Sequence, residues 1–184
     1  MESLENHLLI AMPTLKDSYF DKTVTYICEH NEEGAMGLII NVPVNVTINE
    51  LLAQLEDDIP SRSHLTQRVL TGGPVSTDRG FVLHSPQAGW SSSLALSDDV
   101  MITTSKDILI ALGSEQEPEK YMVTLGYAGW GPGQLEEEIQ ANSWLTTPSD
   151  NDILFNTPIE KRWQKAAEKI GVNIAHLSSE VGHA

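Results

Sequence analysis

Cysteine is almost absent from this sequence. Its 184 residues include one, Cys28, so no disulfide can form within the chain. Cations are scarce as well: 11 Lys and Arg stand against 26 Asp and Glu, a formal charge of −15. A surface so acidic repels DNA, RNA and anionic lipid at long range, and it suits basic partners better. Long apolar runs are missing. Stretches such as Leu8–Pro13 and Gly37–Ile40 fall far short of the roughly 20 residues a membrane span needs. The opening MESLENHLLIAMP lacks the basic start of a signal peptide. With the lone thiol, this predicts a cytoplasmic protein without membrane contact. There is no G-x-S-x-G, no H-E-x-x-H and no paired C-x-x-C. Repeats, linkers and low-complexity stretches are lacking too, so residues 1–184 are expected to form one domain, with a less ordered tail from about residue 172.

What is present alternates short strands with a few helices. HLLIAM, KTVTYICEH and AMGLIIN read as strands, the last two joined as a hairpin by NEEG. TINELLAQLE reads as a helix, opened by a reciprocal cap between Thr47 and Glu50. QRVL and RGFVLH are predicted strands around the turn TGGPVSTD, followed by SSLALS and DVMITT. SKDILIALG is a short helix ending at Gly113, and KYMVTLGY a strand. QLEEEIQAN is a helix, and SWLTTP and DILFN are short extended pieces. In TPIEKRWQKAAEKIG, Thr157 and Glu160 predict a second capping box, with Pro158 at the first helical position and Gly171 at the end. Strands that follow one another in sequence favour an α+β fold with a largely antiparallel sheet.

The strings LIAMP, YICEHNEEGAMGLIIN, TGGPV, RGFVLH and LGYAGWGPGQLEEEI, in this order over roughly Met1 to Gly171, resemble the YqgE/AlgH family of bacterial proteins. The resemblance implies a bifurcated sheet closing into a pseudo-barrel with a few flanking helices. It also implies the label of a transcriptional regulator linked to alginate production, without a settled reaction, ligand or set of catalytic residues.

Three places in the sequence bear on chemistry. The first is GYAGWGPGQLEEEI, where Gly129, Gly131 and Gly133 precede a helix. A phosphate cradle needs free N–H groups at a helix start. Here no Lys-Ser/Thr follows, and Glu136, Glu137 and Glu138 oppose an anion. A carboxylate about 8 Å from a phosphate costs about 2 kcal/mol at an effective dielectric of 20. The glycines then serve close backbone approach and positive φ, with Tyr127 and Trp130 packed over them. Tyr127, Gly129, Trp130, Gly131, Gly133 and Glu136 could instead line a pocket for a neutral or cationic ligand.

The second place is Cys28-Glu29-His30. Regular alternation puts Cys28 and His30 on one face, which would suit a nucleophilic thiol assisted by His30, or by His84 at the end of RGFVLH. It would also suit two ligands of a metal site that lacks the rest, with His84 and Asp17 as unspaced candidates. The plain alternative is a small buried side chain beside Tyr26, and neither metal nor cofactor is expected. The third is the stripe Lys161, Arg162, Lys165 and Lys169, opposite Ile159, Trp163, Ala166 and Ile170. It is the best candidate for DNA contact, but Glu160 and Glu168 interrupt it, and a solvated face with salt-bridge partners suits it better. The expected function is therefore regulatory or accessory, through a protein partner or small ligand. An enzyme using Cys28 and a direct DNA-binding regulator are the alternatives.

Overall fold

The computed structural model describes residues 2–12, 20–55 and 60–171. Asp17 and the tail from residue 172, singled out above, lie outside them. Ten strands among these residues form a largely antiparallel sheet curled into a half-barrel, with few helices. The strands are β1 (His7–Ala11), β2 (Val24–Asn31), β3 (Gly34–Ile39), β4 (Pro43–Thr47), β5 (Arg68–Thr71), β6 (Val75–His84), β7 (Ser93–Ala95), β8 (Met101–Thr103), β9 (Tyr121–Trp130) and β10 (Trp144–Pro148). The helices are α1 (Ile48–Leu55), α2 (Lys106–Ala111), α3 (Gln134–Gln140) and α4 (Arg162–Lys169).

The main path runs β10-β1-β2-β3-β9-β6-β8-β7. It forks at β9. One edge of β9 pairs with β6, while the other pairs first with β5, in parallel, and then with β3. Gly72 sits in the fork: its N–H donates to Leu125 O, and its carbonyl accepts from Ile39 N–H, both at 2.8 Å. Gly73 follows, at φ +156°. A Cβ there would lie 2.1 Å from the carbonyl carbon of Tyr127, so only glycine lets TGGPV lie against GYAGW.

Three apolar layers hold the sheet. One face of β1, β2, β3, β6, β8 and β9 packs under α4 through Trp163 and Ala166. A second layer joins α1 and α2 to β5, β6 and β9. A third sets Leu135 of α3 against Leu9, Ile27, Trp130 and Trp144. The cap predicted for α1 is present: Thr47 Oγ1 accepts Glu50 N–H, and Glu50 Oε1 accepts Thr47 N–H, both at 3.2 Å.

Four expectations require correction. DILFN is not extended but one π-helical turn, with Ile153 and Leu154 buried. Thr157 does not cap α4, because its hydroxyl donates back to Asp152 O at 2.8 Å and closes that turn. The chain then enters α4 through a 3-10 turn at Ile159–Lys161 with no side-chain cap. Finally, the strand expected to end at Tyr127 continues through Trp130, held by β3 pairing at Ala35 and Met36.

Candidate functional site

The face that α4 covers at one end lies open at the other. An open groove of about 1120 Å³ is left there, running from β2 and β3 across β9 and β6 to β7. Its floor is apolar: Cys28, Met36, Phe81, Ile102 and Tyr127 belong to, or pack on, the same layer as Trp163. Phe81 meets Tyr127 edge to face, centroids 5.9 Å apart. The Arg79 guanidinium lies over the Phe81 ring, 5.3 Å from its centre. Glu5 and Glu29 supply carboxylates to the lining.

A β-bulge decides which residues share this groove. The β2–β3 register shifts between Ile27 and Glu29, so Ile27 pairs with Gly37 but Glu29 with Met36. Cys28 is the extra residue. It stays in the groove layer with Tyr26, and Glu29 joins it in the lining. His30 is carried to the other face, where α3 docks. Its Nε2 meets Glu136 Oε1 at 2.8 Å, while its Nδ1 lies 2.9 Å from Leu4 N. A backbone N–H can only donate, so Nδ1 is the acceptor and Nε2 carries the proton. This bond from His30 is the main influence holding the Glu136 carboxyl below its ordinary range.

The expectation that Cys28 and His30 share a face is therefore corrected. Burial, and after it the negative charge of Glu29, pushes the Cys28 thiol well above its ordinary range. Its hydrogen bond runs to Tyr26 O at 3.9 Å. A reactive thiolate needs the opposite surroundings.

His84 is fully buried at the end of β6. Its Nδ1 donates to Ser85 O at 2.7 Å, so Nε2 accepts the Thr103 hydroxyl at 2.6 Å. Ser93 Oγ in turn donates to Thr103 Oγ1. Burial lowers the His84 pKa, opposed by the bond to Ser85. His84 is thus a neutral link tying β6, β8 and β7 together, with no tie to Cys28 in these bonds. Among the described residues, no group of three or more His, Cys, Asp or Glu is placed to hold a metal ion.

The glycine segment splits in two. Tyr127, Gly129 and Trp130 line the groove, whereas Gly131, Gly133 and Glu136 do not. Gly131 N–H is occupied by Gln134 Oε1 at 3.0 Å, and Gly133 starts α3 at φ +73°. Trp130 is fixed from behind: its indole N–H and that of Trp144 both donate to Glu138 Oε1, at 3.1 and 2.9 Å.

The basic stripe of α4 dissolves. Arg162 is buried and donates to the carbonyls of Thr157 and Ile40. Lys165 pairs with Asp152, and Lys169 with Asp150 and Pro148 O. No helix of the described residues is long and apolar enough to cross a membrane.

Sequence reading missed Met36, Phe81 and Leu94 as groove residues. Alternation shows that such side chains leave one face of a strand, but not that the sheet curls to make the face concave.

Comparison with known proteins agrees with this architecture. A UPF0301 protein of Colwellia psychrerythraea is 62% identical, and the match spans 100% of both chains. One from Vibrio cholerae is 52% identical over 99% of this chain and 100% of its own. The solution structure of AlgH from Pseudomonas aeruginosa superposes with a TM-score of 0.81 at 47% identity, covering 100% of this chain and 99% of that one. A Corynebacterium diphtheriae protein shares the fold at 18% identity, with a TM-score of 0.71, covering 92% and 88%. Residues 8–175 match the family described as AlgH-like, and the chain belongs to that family.

Proposed function

We propose that this protein is a cytoplasmic regulatory or accessory protein that works by binding, through the groove over Phe81 and Tyr127, a protein partner or small ligand. One observation carries the reading: the groove gathers a continuous apolar floor with a few polar groups, the composition of a binding site, without a thiol–imidazole pair. A nucleophilic Cys28 lacks support, because its thiol is buried, held protonated and separated by a bulge from His30. Direct DNA binding lacks support as well. Two of the stripe's cations are paired with carboxylates, one is buried, and the chain carries −15 overall. A cytoplasmic setting suits the single thiol.

The test is a thermal-shift screen of the full chain against metabolites and fragments, repeated on Phe81→Ala. A ligand at about 100 times its Kd adds about 2.7 kcal/mol of stability, a readable rise in Tm. Hits whose shift disappears in Phe81→Ala support the reading. Hits untouched by that change, or tight duplex binding in physiological salt, contradict it.

A further inference from the structure

β7 is the end strand of the sheet and forms one wall of the groove. Its hairpin with β8 fixes which backbone groups face outward. Thr104 N–H donates to Ser92 O and Leu96 N–H to Val100 O, both at 2.9 Å. The bonded pairs are therefore the even-numbered residues of β7, and the intervening pairs Ser93↔Thr103 and Ala95↔Met101 are the non-bonded ones. Ser93 and Ala95 accordingly turn N–H and C=O toward the open edge, while Leu94 projects into the groove, 62% exposed.

Edge strands are ordinarily blunted by Lys, Pro or a covering element. The opposite edge, β10, ends in Pro148 and takes a hydrogen bond from Lys169 of α4. β7 reads Ser-Leu-Ala, without Lys or Pro, and among the described residues its strand partner is β8 alone. Carboxylates surround it: Asp98 and Asp99 are exposed in the turn beyond it, and Glu5 and Glu29 lie across the groove. The lining's cation, Arg79, is stacked on Phe81.

Resting on the groove as a binding site, we infer that its occupant is an extended, cationic segment of another protein, added as a new strand to the edge of β7 that no described strand pairs. Its backbone pairs with Ser93 and Ala95. Its alternate apolar side chains enter the groove beside Leu94 and Phe81, and its Lys or Arg residues meet Asp98, Asp99 and Glu29. A second copy of this chain would bring the same carboxylates to the edge and be repelled.

The experiment pans short random displayed peptides against the full chain, then titrates the enriched peptides. Expected are cationic sequences with apolar residues at every second position, and slowed amide exchange at Ser93 and Ala95 on binding. Ala95→Pro removes an outward N–H without touching the β8 ladder, and it should weaken binding by at least about tenfold. Backbone N-methylation of the peptide at alternate residues should do the same, which settles the matter if Ala95→Pro fails to fold. Absence of enriched peptides, enrichment without charge or alternation, or dimers paired through β7 would overturn the inference. So would peptides that move groove signals while leaving Ser93 and Ala95 unprotected, and that result would still support the groove as a binding site. Loss of the groove reading itself shows differently, as ligands indifferent to Phe81→Ala.

Discussion

His30 Nε2 donates to Glu136 Oε1 across 2.8 Å, a bond between the end of β2 and the first turn of α3. The imidazole is buried, and the Glu136 side chain is 28% exposed. This pair sets the direction of one pH dependence. The bond holds the Glu136 carboxyl below its ordinary range, so the folded state binds that proton less readily than the unfolded chain. The resulting stability is present above the unfolded value, about 4.3, and is lost as pH falls through the lower folded value. Denaturant midpoints of wild type and Glu136→Gln should differ at neutral pH, with the variant weaker, and converge in acid.

Glu138 is the more demanding carboxylate, since two indoles depend on it. Trp144 is 2% exposed, so its N–H has no solvent to fall back on. Glu138→Ala should cost about 2–6 kcal/mol, because it orphans two indole donors at about 1–3 each. It should also loosen the contact of Trp130 with Trp144, whose ring centres stand 6.1 Å apart. Urea denaturation and near-ultraviolet circular dichroism read both effects. Glu138→Gln keeps an acceptor oxygen and should recover part of the loss.

Gly73 should tolerate no side chain. A Cβ meets the Tyr127 backbone at 2.1 Å, and φ is +156°. Gly73→Ala should cost about 3 kcal/mol or more and disturb ligand binding, because it pushes β9 at the groove floor. Gly89→Ala, at φ +108° with open space around it, serves as the control and should cost about 1 kcal/mol.

Cys28 should resist alkylation in the native protein and react promptly only after denaturation, because burial keeps the thiol protonated. Rapid native labelling with a maleimide would contradict its placement. Cys28→Ser should cost about 1–3 kcal/mol, the penalty for a hydroxyl in an apolar layer.

Local chemistry was readable where one residue's partner lay nearby in sequence. Thr47 and Glu50 sit one turn apart, and their cap formed as expected. The same pattern at Thr157 and Glu160 misled, since the Thr157 hydroxyl had a competing partner in Asp152 O. DILFN was ambiguous because a short apolar run fits a strand or a buried turn equally well. The bulge at Cys28 left no mark on the alternation, yet it moved His30 to the opposite face. Arg162 looked like part of a surface stripe. Its partner carbonyl on Ile40 is distant in sequence, and only the fold brings the two together. Two of the family motifs meet in the fold: TGGPV and GYAGW lie backbone against backbone beside the groove.

The central claim is that the face over Phe81 binds, and methyl-resolved NMR tests it most directly. Met36, Leu94, Leu96 and Ile102 all line the groove, so their methyl signals report on it during titration with any hit from the ligand or peptide screens. The account predicts shifts centred on these four residues, with the methyls of Ile48, Leu52 and Ile108 in the α1–α2 layer unmoved. Saturable binding that shifts the α1–α2 layer or α4 and leaves the groove methyls still would contradict it.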